Sequence, residues 1–322
     1  MTKPAYEHIG DDIYRVDAGL HRDDMVACYL IRSNGHIALV DTGTARTAPT
    51  LLGLIDDLGL TPQDVDYVIP THVHLDHAGG AGALMRLCPN AKLVIHPKGA
   101  THMIDPSKIT AGATAVYGEE AFLRDYGVLE AVAEDRIVVT EDGLTLEFQG
   151  RELLFLDTPG HANHHNCILD NQSKGFFTGD TFGVSYRDFD TEAGPLMIAP
   201  TTPVAFDPDL WEKSLDRLMQ HEPRSVFLTH FGRLDHPENL VQHVRGSIRD
   251  FAAIALSEEG TDPEDRQQRL KQKVEEHLFQ RARCHGCTLD EPTMGRLLGV
   301  DIELDAQGLD VWLQRRAKRA AG

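Results

Sequence analysis

The feature that most restricts this chain is the run Thr71-His72-Val73-His74-Leu75-Asp76-His77, which follows the apolar segment VDYVIP (65–70) and precedes Ala78-Gly79-Gly80. Four side chains able to bind a cation fall within six residues. Packing four polar, titratable groups beside a buried strand costs free energy unless something satisfies them together. In an extended segment side chains two apart point the same way, so His72, His74 and Asp76 are expected to converge on one side as the strand ends. His77 is expected to swing into the same space if the chain turns there into a helix. The run therefore asks for a fold in which a strand stops at a sheet edge and hands its ligands to a metal.

Such a cluster needs partners from elsewhere, and three candidates each sit just after an apolar strand. His161 ends DTPGH (157–161), Asp180 ends FFTGD (176–180) and His230 ends FLTH (227–230). Strand ends along one sheet edge are rigid supports for a site. Imidazole and carboxylate donors suit zinc, iron or manganese better than calcium or magnesium.

The organisation around these residues is two β-rich halves with interspersed helices. VACYLIRS (26–33) and HIALVD (36–41) flank Asn34-Gly35, a hairpin signal because both turn positions need positive φ. Residues 48–58 read as a helix, as do 78–87 and the stretch 97–127, with KLVIH (92–96) as a strand between them. Strands are then expected at 136–140, 144–148, 152–157, 167–170 and 175–179. Asp207-Pro208 is an N-cap followed by proline in the first turn of a helix over 207–220. SVFLTH (225–230) is the last clear strand. Beyond about residue 236 the pattern turns helical, including 304–319. The domains expected are therefore 1–235, carrying the site, and 236–322, a helical extension that covers the pocket or makes a homodimer contact.

Composition sets broader limits. Fifty acidic against 31 basic residues leave a net charge of -19, which repels a polyanion, so no nucleic-acid partner is expected. No apolar run approaches the roughly 18 residues of a membrane helix, and the N-terminus shows no apolar secretory region. A cytoplasmic protein acting on a small molecule is expected. Five scattered cysteines do not make a disulfide scaffold.

The marks ALVDTG (38–43), THVHLDHAGG (71–80), DTPGH (157–161), FFTGD (176–180) and LTH (228–230) occur in one order over about residues 10–235. In these the chain resembles the metallo-β-lactamase superfamily, in the branch of hydroxyacylglutathione hydrolases, lactonases and related esterases. The resemblance implies an α+β fold, a four-layer αββα sandwich, with two divalent transition-metal ions at one edge: zinc foremost, iron or manganese as alternatives. Carried over, His72, His74 and His161 would hold the first metal, Asp76, His77 and His230 the second, and Asp180 both. Asp41 matches a residue that supports the site from behind. The implied reaction is hydrolysis of an ester, thioester or lactone by metal-acidified water, with Asp76 and Asp180 as catalytic residues and Asp76 passing a proton to the leaving group. The alternatives are a phosphodiesterase, a non-haem iron oxidoreductase of persulfide-dioxygenase type, and a metal-containing sensor without turnover.

Some features depart from the pattern. Ala162 and His164 stand where relatives often carry threonine and glycine, and no GCGR-like segment follows Asp180. His164 either faces the pocket or lies in a solvated loop. The stretch 181–206, with Phe182, Tyr186, Phe189, Leu196 and Met197, either roofs an apolar pocket or is an ordinary packed loop, and Arg187 either meets an anionic substrate or lies on the surface. Cys284-His285-Gly286-Cys287 reads as a redox pair, half a zinc site with His277, or two reduced cysteines near helix ends.

Overall fold

In the computed structural model, which describes residues 6–321, two strands precede the expected hairpin: β1 (Tyr6–Gly10) and β2 (Ile13–Asp17). Asp11 and Asp12 make the turn between them with φ of 51° and 54°. The hairpin itself is β3 (Ala27–Ser33) and β4 (His36–Val40), with Ser33 paired to His36 and Asn34 and Gly35 at φ 47° and 83°. These left-handed values match the right-handed twist of the flanking strands. Three parallel strands follow: β5 (Val65–Ile69), β6 (Lys92–Ile95) and β7 (Ile137–Val139). The seven lie in chain order in one mixed sheet. Their crossovers carry α1 (Ala48–Asp57), the short α2 (Leu75–Ala78), α3 (Ala81–Leu87), α4 (Pro97–Ile104), α5 (Ser107–Tyr117) and α6 (Glu119–Asp125).

The second sheet is built from β8 (Thr145–Phe148), β9 (Arg151–Asp157), β10 (Asn166–Asp170), β11 (Gly175–Gly179), β12 (Ser225–Leu228) and β13 (Gly232–Asp235), again in chain order. It is antiparallel except for the parallel pair β11–β12. The last clear strand of the sequence is therefore not the last strand. β13 is short and carries Arg233 and Asp235, the charged profile of an edge strand, which gives little apolar alternation to read.

Period-2 alternation decides what each strand faces. From β3, Tyr29 and Ile31 join Val40, Ile69 and Val94, together with Phe148, Leu153, Phe155, Ile168, Phe177 and Phe227 of the second sheet, in one core. The intervening Cys28 and Leu30 point the other way, into a core with Leu51, Leu54 and Ile55 of α1 and Leu84 of α3. Arg151 locks the second sheet from within. Its guanidinium donates to both oxygens of Asp170 at 2.7 and 2.6 Å and to the Asp11 carbonyl at 2.7 Å, with both charged side chains fully buried.

Two compact units divide the chain. The first takes the described residues through 157, with 164–179 and 223–237, and so holds both sheets. The second takes 158–163, 180–222 and the residues from 238 onward. It contains α7 (Pro208–Met219), α8 (Pro237–Leu256) after its first residue, α9 (Arg266–Cys284) and α10 (Glu291–Ala321). Asp207 caps α7 through Leu210 N at 3.2 Å, as its sequence predicts. α10 begins thirteen residues before the expected 304. Glycines at 295, 299 and 308 weaken the helical signal there. Tertiary packing explains one of them, since a Cβ at Gly308 would lie 1.5 Å from the Thr201 carbonyl oxygen. Among the described residues no helix is long and apolar enough to cross a membrane.

Candidate metal centre

β5 stops at Ile69, and the chain is helical again by Leu75. This changes the grouping within the 72–77 run. Asp76 does not line up with His72 and His74, because the extended geometry has ended before it. In the first turn of α2 it meets His77 and His230 instead, and the three offer ligand atoms within 4.8 Å of one another. His230 Nε2 lies 3.1 Å and His77 Nε2 3.7 Å from Asp76 Oδ2. Both histidines are buried, while the Asp76 side chain keeps 26% of its exposure.

What orients these rings is the opposite nitrogen of each. His77 Nδ1 is 2.8 Å from Asp41 Oδ2, and His230 Nδ1 is 2.8 Å from the Met25 carbonyl oxygen. A carboxylate and a carbonyl only accept, so both Nδ1 atoms carry a proton and both Nε2 atoms are turned toward Asp76. Asp41, fully buried at φ 51°, also accepts from Thr71 N at 2.7 Å, from Thr71 Oγ1 at 2.9 Å and from Thr229 Oγ1 at 2.6 Å. Aspartate is one of the few residues that visit the left-handed region readily. The supporting position expected for Asp41 is where the structure places it. The two threonines were not read from the sequence, although each immediately precedes a candidate ligand: Thr71-His72 and Thr229-His230 are the same dipeptide at two strand ends.

In the same unit His72 Nε2 and His74 Nδ1 stand 2.8 Å apart. His165 is buried and stacks on His72 with ring centres 4.7 Å apart. His164 is half-buried, 5.7 Å from the His74 ring, and accepts a long 3.4 Å hydrogen bond from Val73 N. It is thus a neighbour of the candidate ligands. Gly179, ending β11 at φ 46°, leaves room for this cluster: a Cβ there would come within 2.6 Å of both His165 Nε2 and Thr71 Oγ1.

The second unit brings together His161 and Asp180. His161 Nε2 is 3.3 Å from Asp180 Oδ2, and its Nδ1 donates to the Pro200 carbonyl at 2.8 Å. The His161 ring meets Trp211 edge-on at 5.6 Å, and Trp211 Nε1 donates to the Thr181 carbonyl at 2.6 Å. In the 181–206 stretch Phe182, Tyr186, Phe189, Leu196 and Met197 are all buried. The Tyr186 hydroxyl donates to Asp301 of α10 at 2.8 Å, and Arg187 pairs with Asp190 at 3.3 Å. Around the CxxC, His277 faces Asp250 at 3.5 Å and His285 Nε2 donates to the Gly194 carbonyl at 2.8 Å. Neither cysteine belongs to a metal-holding group among the described residues.

A ring whose Nδ1 is tied down behind it and whose Nε2 faces a carboxylate is the donor chemistry a divalent transition metal takes. The His/Asp cluster is thus able to hold metal. The family model described as metallo-beta-lactamase superfamily matches residues 21–230. The metallo-beta-lactamase fold-containing protein ST1585 of Sulfurisphaera tokodaii is 28% identical over 185 residues, 56% of this chain and 66% of that protein. An atrochrysone carboxyl ACP thioesterase of Aspergillus fumigatus is 26% identical over 153 residues, 47% of this chain and 28% of its own length. This chain thus spans less than two thirds of either relative. The crystal structure of ST1585, described as an archaeal metallo-beta-lactamase superfamily protein from Sulfolobus tokodaii, shares the fold with a TM-score of 0.65 at 22% identity, covering 93% of this chain and 98% of that one. With a family model spanning well over half its length and ligand candidates at the strand ends that carry the family's motifs, the chain belongs to the metallo-beta-lactamase superfamily.

Proposed function

We propose that this protein hydrolyses an ester, thioester or lactone with the help of two divalent transition-metal ions, zinc foremost. The observation that carries the reading is the trio Asp76, His77 and His230, with each imidazole proton held behind the ring and each Nε2 turned toward one carboxylate. These three would hold one cation. His72 and His74 of the same unit would contribute to holding the other. When bound, such a pair acidifies a water toward neutrality and polarises the scissile carbonyl.

The chain's own residues supply the rest. Asp41, through His77, and the Met25 carbonyl, through His230, keep the two rings in one tautomer, so no reorientation is needed during turnover. Asp76 is the most exposed member of the trio and is placed to hand a proton to the leaving group. That the Aspergillus relative is named a thioesterase supports a thioester among the substrates.

The test is turnover of a panel of acyl thioesters, lactones, simple esters and phosphodiesters by protein reconstituted separately with zinc, manganese and iron, with oxygen uptake followed in parallel. Acyl hydrolysis with zinc or manganese is expected. Oxygen consumption by the iron form without hydrolysis would replace the reading with an oxidation. Full metal occupancy with no turnover of any kind would leave a sensor.

A further inference from the structure

Along the buried face of α10, Leu298, Ile302, Ala306, Leu309 and Leu313 are apolar, yet Asp305 stands among them fully buried. An acid there costs free energy that an apolar side chain would not. Its Oδ2 meets no hydrogen-bond partner among the described residues. Packing of α10 therefore does not call for an acid at this position.

What Asp305 does hold is one end of a peptide group. Its Oδ1 accepts from Thr201 N at 2.6 Å and from Thr201 Oγ1 at 3.3 Å. The other end of the same peptide is the Pro200 carbonyl, which accepts from His161 Nδ1 at 2.8 Å. The three groups form a chain within the second unit: imidazole N–H to peptide carbonyl, then peptide N–H to carboxyl. A peptide whose N–H is taken by an acceptor is more polarised, so its carbonyl accepts more strongly. That pull is felt at His161 Nε2, the atom 3.3 Å from Asp180 Oδ2. Gly308 allows the approach, because a Cβ there would collide with the Thr201 carbonyl. Burial pushes the Asp305 carboxyl well up, so the accepting atom is the carbonyl oxygen of a neutral acid, which asparagine reproduces.

We propose that Asp305 is a positioning residue for His161, acting through the Pro200–Thr201 peptide to hold the imidazole proton on Nδ1 and to strengthen Nε2 as a metal ligand. The proposal rests on the metal-dependent reading above, with His161 among the ligands as the family resemblance implies.

The experiment compares the full-length wild type with Asp305→Leu, which keeps the size and suits the apolar face, Asp305→Ala, and Asp305→Asn, which keeps a carbonyl acceptor. Zinc affinity is read by chelator competition. Nitrogen-15 NMR of histidine-labelled, metal-free protein reads the His161 Nδ1 proton, assigned by its loss in His161→Gln. In the wild type His161 is expected to carry its proton on Nδ1. Asp305→Leu and Asp305→Ala should let that proton exchange faster with solvent and weaken zinc binding about 3- to 10-fold, less than the loss of a partner that touches the ring. Asp305→Asn should stay within about twofold of the wild type in affinity, with the proton signal in place. An unmoved signal and wild-type affinity in whichever of the leucine and alanine variants folds would refute the proposal. So would an equal loss in Asp305→Asn, which would mark packing damage, or a wild-type His161 protonated on Nε2 alone. If the wild type takes up no zinc, the metal-dependent reading fails, while the metal-free spectra still decide whether Asp305 orients His161.

Discussion

His77 of the first unit and His161 of the second are each held from behind, but by different groups. In the first, His77 leans on Asp41, a buried carboxylate that also gathers Thr71 and Thr229. In the second, His161 Nδ1 donates to the Pro200 main-chain carbonyl. A carboxylate fixes the tautomer and raises ligand basicity more than a neutral carbonyl does. The buried acids differ in the same way. Asp170 in the first unit is matched to Arg151, and although burial pushes it up, the guanidinium and Ser173 hold it below the ordinary carboxylate range. Asp305 in the second unit accepts from Thr201 N at 2.6 Å, and burial, with Asp301 one turn away, pushes it well up. Asp170 is thus held as a paired anion, while Asp305 is pushed toward its protonated form.

The sharpest way to break this contrast is Arg151→Ala, which strands the buried Asp170 carboxylate and should cost about 3–5 kcal/mol in urea unfolding. A loss below about 1 kcal/mol would show that the pair is not what holds the second sheet. Next is Asp41→Asn, which keeps the size but removes the charge behind His77. Metal affinity, read by chelator competition, should fall about 10- to 100-fold, and unchanged affinity would put Asp41 outside the centre. Thr229→Ala removes one of the four groups that donate to Asp41 and should cost about 1–2 kcal/mol of stability, with a smaller drop in metal affinity than Asp41→Asn. A larger drop would reverse the roles assigned to the two residues.

The smallest effects are in pH dependence, and their signs oppose. The folded pKa of Asp170 is depressed, so its stabilisation is complete above the unfolded value of about 4 and is lost as pH falls through the folded value. The folded pKa of Asp305 is raised, so the unfolded chain releases that proton first and stability declines as pH rises above about 4. Asp305→Asn should therefore gain on the wild type as pH rises from 4 towards neutral, in urea midpoints taken across that range. A parallel pair of curves would mean that Asp305 does not hold its proton.

Much of this was legible in one dimension, for local reasons. Asn34-Gly35 predicts its hairpin because the turn itself demands positive φ. Histidines and aspartates placed just after apolar strands predict a strand-edge site because a strand end is a local event. β13 and the first half of α10 escaped because charged edge residues and helix glycines blur the periodicity that marks an element. Two-residue alternation alone would put Asp76 with His72 and His74, but it holds only while the backbone stays extended, and here it becomes helical at Leu75; the family resemblance groups Asp76 with His77 and His230.

By itself, then, the sequence determined which residue types could bind metal, their order along the chain and the kind of element that carries each, since all of these follow from interactions among near neighbours. Only the tertiary structure decided that the Asp41 carboxylate stands behind one ring and the Met25 carbonyl behind another. The hydrogen bonds that Asp41 accepts from His77 and Thr229 span 36 and 188 residues. Partners so far apart meet only after the two sheets have packed, and no local periodicity encodes which of the available acceptors each donor will find.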